Sequence, residues 1–180
     1  MQFDVIIGNP PYGSGGNLAI AFLNKCADMS DDVRLVLPLS VRKESALNKI
    51  RLDIECVHDE LLPDDTFPRG IRAVYQRWVP GHRTKIETVS THPDFEFVKK
   101  EDPSINVFVM RKGYAGKVLL SDWGGYEKSH YFLCAKSQSV IDTLVECEEE
   151  LREIGRMQNG IPGISKHDLI TTYQKHVTAD

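Results

Sequence analysis

The sequence predicts an α/β fold: a partial sheet with a C-terminal antiparallel hairpin, followed by a small α+β extension. Three observations predict it. Two β-branched apolar runs, residues 3–8 and 33–38, stop abruptly at Gly or Pro and enclose a stretch with helical periodicity. Two further runs, residues 54–62 and 71–79, follow without a long helical stretch between them, the order of a hairpin. After about residue 80 the pattern changes to short irregular strands and then helices. We therefore divide the chain into residues 1–80 and 81–180.

Each element has a local reason. Phe3-Asp4-Val5-Ile6-Ile7-Gly8 reads as a buried strand. Gly13 to Gly16 reads as a flexible loop. Asn17 is placed to cap a helix reaching about Met29, with Leu18, Phe22, Cys26 and Met29 on its inner face. Val33 to Pro38 is the second strand, and Ser40 is placed to cap a helix to roughly Leu52. Ile54 to Leu62 alternates as a third strand. Ile71 to Val79 is the fourth, with Ile71, Ala73, Tyr75 and Arg77 opposed to Arg72, Val74, Gln76 and Trp78.

In the second part, strands are expected at Asn106 to Met110, Gly116 to Leu120 and His130 to Ala135, with Lys112 to Gly116 as a hairpin turn. One amphipathic helix is expected from Ser139 to about Met157, with Val140, Ile141, Leu144, Val145, Leu151 and Ile154 inward. Asn159 to Gly163 ends it. Ser165 and Asp168 have the spacing of a capping box for a last helix through His176. Trp78, Trp123, Tyr126 and Tyr131 read as core or interface aromatics.

Composition narrows the functional classes. The 180 residues suffice for a real core, and 41% hydrophobic with 27% charged residues is ordinary for a soluble globular protein. No apolar run approaches membrane-spanning length and no signal-peptide pattern opens the chain, so a cytoplasmic location without membrane contact is expected. Cys26, Cys56, Cys134 and Cys147 are far apart and form no CxxC, which predicts free thiols. The histidines are scattered, so no metal site is expected. A net charge of −4 argues weakly against nucleic-acid affinity of the whole chain. Acidic residues gather at Glu146, Glu148, Glu149 and Glu150. The middle of the chain carries many Arg and Lys, from Arg69 to Lys117, and reads either as solvated surface or as a phosphate-contacting face.

The most telling motif is Asn9-Pro10-Pro11-Tyr12, directly after the first strand. Neither proline can donate to a strand ladder and each fixes its own φ, so the turn is stiff and extended. It sits at the carboxyl end of a strand, where open α/β sheets place ligands. It offers an amide side chain, a carbonyl and an aromatic ring, a set suited to a flat, amine-bearing substrate.

Phe3 to Tyr12 closely resembles the catalytic motif of amino-methyltransferases that use S-adenosylmethionine. The resemblance implies that the Asn9 side-chain oxygen and the Pro10 carbonyl accept the two N–H bonds of the substrate amine, while Pro11 stiffens the turn and Tyr12 stacks on the base. Asn9 is shared with the cofactor site. An exocyclic amine is a poor nucleophile because its lone pair is delocalised into the ring. Two fixed acceptors favour a pyramidal nitrogen, so orientation carries the catalysis. A second segment, Leu61-Leu62-Pro63-Asp64-Asp65-Thr66-Phe67-Pro68 before Ala73-Val74-Tyr75-Gln76-Arg77, looks like the segment of adenine-specific DNA methyltransferases in which a Phe packs on the flipped base. Leu35 to Ser40 resembles the strand after the catalytic motif in the same family. The resemblance covers about residues 1–80 and implies a partial Rossmann-like methyltransferase sheet, with Phe67 and Pro68 as substrate-binding residues and DNA as a partner.

The family's cofactor-binding half has a strand leading into a Gly-rich turn and an acidic residue for the ribose. No such strand precedes or follows the motif in this sequence. The expectation is therefore an adenine-N6 DNA methyltransferase segment whose S-adenosylmethionine site is incomplete in this chain. Its first strand would expose an edge to a partner chain or to a second copy. Two alternatives stand beside it: a non-catalytic relic that binds nucleic acid or protein, and an amino-methyltransferase acting on protein glutamine or on RNA. Residues 81–180 read by position as a remnant of a target-recognition region.

Overall fold

In the computed structural model, which describes residues 2–121, 123–158 and 160–178, β1 (Ile6–Gly8) lies parallel to β2 (Val33–Pro38), with Ile6 opposite Val33 and Gly8 opposite Leu35. A parallel pair needs a crossover, and α1 (Asn17–Cys26) supplies it. β3 (Ile54–Leu61) and β4 (Ala73–Pro80) form an antiparallel pair, and β4 docks antiparallel on β2. The sheet order is β1-β2-β4-β3. These elements belong to one of two units, Met1–Glu87 and Thr88–Asp180. Among the described residues the chain is α/β, with two four-stranded sheets and five α-helices, and no helix is long and apolar enough to cross a membrane.

The core of the first unit follows strand alternation. Leu35, Leu37, Val74 and Trp78 are buried, together with Ala19, Ile20 and Leu23 of α1. In the β2–β4 register Arg34 stands opposite Arg77, a like-charge pair that would repel. Asp32 resolves it by accepting from both guanidiniums, at 2.7 and 3.0 Å from Arg34 and 3.1 Å from Arg77. The buried Gln76 amide is likewise satisfied, accepting from the Trp78 indole and donating to Asp59.

Several expectations fail here for physical reasons. β1 is not buried. It is an edge strand, and Val5 and Ile7 are 40% and 68% exposed. Asn17 is the first helical residue and Gly16 the cap, in a left-handed conformation. The inner face of α1 is Ala19, Ile20, Leu23 and Cys26, while Leu18 and Phe22 are about half exposed. Ser40 caps no long helix. Leu39, Ser40 and Val41 are buried in succession, which one face of a helix cannot provide, so the chain makes a 3-10 turn and then the single turn α2 (Glu44–Leu47).

The second unit is an antiparallel sheet with three helices. β5 (Phe95–Val98), β6 (Val107–Met110), β7 (Val118–Leu119) and β8 (His130–Ala135) are ordered β5-β8-β6-β7. β5 was not among the expected strands. The turn between β6 and β7 closes with Gly116 N–H donating to the Met110 carbonyl at 2.7 Å. Phe95, Val107, Val109 and Leu133 from the sheet pack with Leu144, Leu151, Leu169, Ile170 and Tyr173 from the helices into one core.

The expected long helix is two: α3 (Gln138–Glu146), capped by the Ser137 hydroxyl, and α4 (Glu148–Arg156). Glu146 of the acidic run ends α3, and Glu148, Glu149 and Glu150 lie in the first turn of α4, where carboxylates favour the helix N-terminus. There Glu148 accepts the Val118 N–H at 2.7 Å. Val145 is exposed, not inward. Asn159, expected to help end this region, lies outside the described residues. α5 (Lys166–Thr178) opens on the expected capping box: Asp168 N–H donates to the Ser165 hydroxyl at 3.0 Å and Ser165 N–H to the Asp168 carboxylate at 2.7 Å. Tyr126, expected as a core or interface aromatic, is 76% exposed and so does not belong to the core.

Candidate functional site

Strand direction explains why distant segments meet. β1 and β2 run parallel, so the chain leaves both at the same end of the sheet. β4 runs the other way, and its first residue, Ala73, pairs with Pro38 at the end of β2. The segment entering β4 therefore arrives where the segment leaving β1 begins. The Leu39 N–H donates to the Arg72 carbonyl at 3.0 Å and ties the two turns together. The result is an open cavity of about 550 Å³ lined by Asn9, Pro10, Pro11, Tyr12, Phe67 and Ile71.

The lining has a defined character. Pro10 is buried and braces the turn, while Asn9 and Pro11 are exposed. The Asn9 side chain has no hydrogen-bond partner among the described residues, so its amide is available. Phe67 is half-buried in an extended conformation, as a residue before proline prefers. Tyr12 is half-buried. Burial pushes its hydroxyl above the ordinary tyrosine range, so it is neutral near pH 7. The hydroxyl oxygen is buried without a hydrogen-bond partner, an arrangement that costs about 1–3 kcal/mol.

Behind the motif, Gly13 to Gly16 forms a tight turn in which Gly13, Gly15 and Gly16 all have positive φ. The turn feeds α1, and the Tyr12 carbonyl accepts the Leu18 and Ala19 N–H groups at 3.2 and 3.4 Å. The motif is thus anchored to the sheet through β1 and to the helix through Tyr12.

Of the residues singled out from sequence, Asn9, Pro10, Pro11, Tyr12 and Phe67 are brought together. Pro68 is not. It is exposed and opens a 3-10 turn, Pro68–Gly70, directly after Phe67. Ile71 lines the cavity and was read from sequence only as a strand residue. No local signal marked it: it reaches the cavity because β4 docks antiparallel on β2. The cavity has one polar side chain other than tyrosine, Asn9, and no carboxylate or cation. Among the described residues no group of three or more His, Cys, Asp or Glu is placed to hold a metal ion. The arrangement offers two aromatic side chains, an amide and a backbone carbonyl to a flat ring.

No protein-family model, curated protein or solved structure matches this chain.

Proposed function

We propose that the first unit is the substrate-holding part of an S-adenosylmethionine-dependent amino-methyltransferase of the adenine-N6 DNA type, on a partial Rossmann-like sheet. The observation that supports this reading is the cavity in which Asn9 to Tyr12 converge with Phe67. An adenine enters with its ring between Tyr12 and Phe67. Stacking of this kind is worth about 1–3 kcal/mol per base, which helps offset extraction of the base from a duplex. The Asn9 side-chain oxygen and the Pro10 carbonyl accept the two N–H bonds of the amine. Held this way, the nitrogen lone pair turns out of the ring plane without a strong base.

The lining fits the base and does not fit the methyl donor. S-adenosylmethionine carries an ammonium, a carboxylate and ribose hydroxyls, and here it meets Asn9, Tyr12 and a backbone carbonyl but no charged side chain. Its remaining groups must come from elsewhere, and the two edges of the sheet suggest where. The β3 edge exposes Val57 and Leu61 too, but intersperses them with exposed Glu55, His58, Asp59 and Glu60 and carries a register shift between Cys56 and His58. The β1 edge presents Val5 and Ile7 to solvent. The β1 edge, beside the motif, supports our reading that a donor-binding partner chain docks there.

Two experiments test the reading. Calorimetry with S-adenosylmethionine is expected to show no binding by this chain, and tight binding refutes the incomplete-site claim. Transfer of labelled methyl to DNA adenine in the presence of a complementing donor-binding half, lost in Asn9→Ala, is the positive result. Transfer to a release factor or to ribosomal RNA, with duplex DNA inert, redirects the substrate assignment.

A further inference from the structure

The hairpin turn of the second unit separates two cavities. One, of about 220 Å³, is lined by Tyr114 with Arg152 and Arg156 of α4. The other, of about 470 Å³, is lined by Lys112, Tyr126 and Lys128. Lys112 and Gly113, consecutive in the turn, line one each, so the cavities adjoin. Hydrogen bonds hold the frame. The Arg111 and Lys112 N–H groups donate to the Ser129 carbonyl at 2.8 and 3.4 Å, and Gly113 N–H donates to the Pro162 carbonyl at 3.0 Å.

The two tyrosine rings are 74% and 76% exposed, and neither packs on another ring among the described residues. Their backbones are nevertheless fixed. The Tyr126 carbonyl accepts from the Ser129 N–H at 3.0 Å and from the Ser129 hydroxyl at 2.7 Å, and the Tyr114 carbonyl accepts from Lys117 N–H at 3.1 Å. A large exposed ring contributes little to the core, and with only two side-chain torsions to fix it loses little entropy on contact. Four cations, Lys112, Lys128, Arg152 and Arg156, line the two cavities, with Glu127 also in the lining and Glu149 and Glu153 beside the arginines. Lys112 and Lys128 have no carboxylate partner among the described residues. Arg152 and Arg156 lie one turn apart on a single face, in exposed pairs with Glu149 and Glu153 that phosphate can replace. Glu127, the acid beside Tyr126, is neutralised by Lys100 at 2.6 Å.

We propose that this surface binds an unpaired nucleic-acid strand. Tyr114 and Tyr126 take bases by stacking, and Lys112, Lys128, Arg152 and Arg156 take the backbone phosphates. Exposed rings between cations match a strand whose base faces are open, whereas a duplex hides those faces. The inference does not rest on the reading of the β1 cavity. A chain that binds strands but transfers no methyl refutes that reading and leaves this one standing.

Fluorescence anisotropy of the full chain with a labelled strand of about 16 nucleotides tests it, with DNA and RNA arms and the matching duplex. Single strands are expected to bind more tightly than duplex. The double variant Y114A/Y126A is expected to lose at least about tenfold in affinity while Y114F/Y126F keeps it. K112A/K128A is expected to reduce the salt slope by about 1.4. Circular dichroism melts matching the parent chain establish that the variants are folded. Unchanged affinity in Y114A/Y126A, equal binding of duplex, or no binding of either single strand overturns the proposal.

Discussion

Replacing Gly16 by Ala strains the turn behind the motif in two separable ways. Gly16 has φ +78, a left-handed conformation that costs an L residue about 1–2 kcal/mol. An added Cβ would also stand 3.0 Å from the Pro38 Cγ and 3.2 Å from the Ser40 Oγ. Pro38 and Ser40 are both buried at the end of β2, so neither yields freely. Overpacking of this kind costs about 1–3 kcal/mol, and the mild overlap places it near 1. The expected loss is therefore about 2–3 kcal/mol. Gly15 supplies the control. It has φ +61, but its added Cβ would meet only the Asn17 Nδ2, at 3.9 Å. Gly15→Ala should lose the conformational part alone, and the difference of about 1 kcal/mol isolates the packing against β2. Urea unfolding reads it through Trp78 in a Trp123→Phe background, since the chain has 2 tryptophans, one in each unit. Equal losses in the two variants, or a Gly16→Ala chain as stable as its parent, refute the argument that this turn is braced on β2.

Further predictions follow from single contacts. Phe67→Ala should weaken adenine capture about tenfold or more, measured as the fluorescence of 2-aminopurine placed at the target base, and Pro68→Ala should have a smaller effect. Ser165→Ala breaks the α5 capping box and should lower unfolding stability by about 1 kcal/mol in a denaturant titration that follows the second unit. Asp32 is held well below the usual carboxylate range, first by hydrogen bonds from Arg34 and then by those from Arg77. A depressed carboxylate stabilises above its unfolded pKa, and that contribution fades as pH falls through the folded value. Acid titration should therefore destabilise the β2–β4 clamp below about pH 4, and Asp32→Asn should flatten that part of the curve. Burial raises the Cys26 thiol and pushes the Cys147 thiol up to about 12. Both should resist alkylation at pH 8 in the folded chain and react once urea is added, as mass spectrometry of labelled peptides would read.

Local signals proved legible and distant ones did not. Val33 to Pro38 was readable because an apolar β-branched run and a terminal proline define it within six residues. The Ser165–Asp168 box was readable because its partners lie on one helical turn. The inner face of α1 was misread. Its apolar residues form two overlapping stripes, and the sheet buries the one through Ala19, Ile20 and Leu23. β5 was missed because Phe95 to Val98 is four residues long in polar surroundings, and its strand character comes from pairing with β8. In the cavity, Asn9 to Tyr12 are contiguous and Phe67 is followed by proline, so all five carried a signal. Ile71 joins them only because β4 docks antiparallel on β2, a tertiary fact with no local mark.

The Tyr12 carbonyl, which accepts the first amides of α1, makes the motif a mechanical component as well as a chemical one. The ring that lines the cavity and the oxygen that closes the helix belong to the same residue. A rearrangement that carries the Tyr12 backbone aside must release the Leu18 and Ala19 amides, so opening of the cavity by that route and fraying of α1 become one event. The exchange rates of those two amides therefore report the rate at which the cavity opens, and a ligand seated against Tyr12 should slow both together.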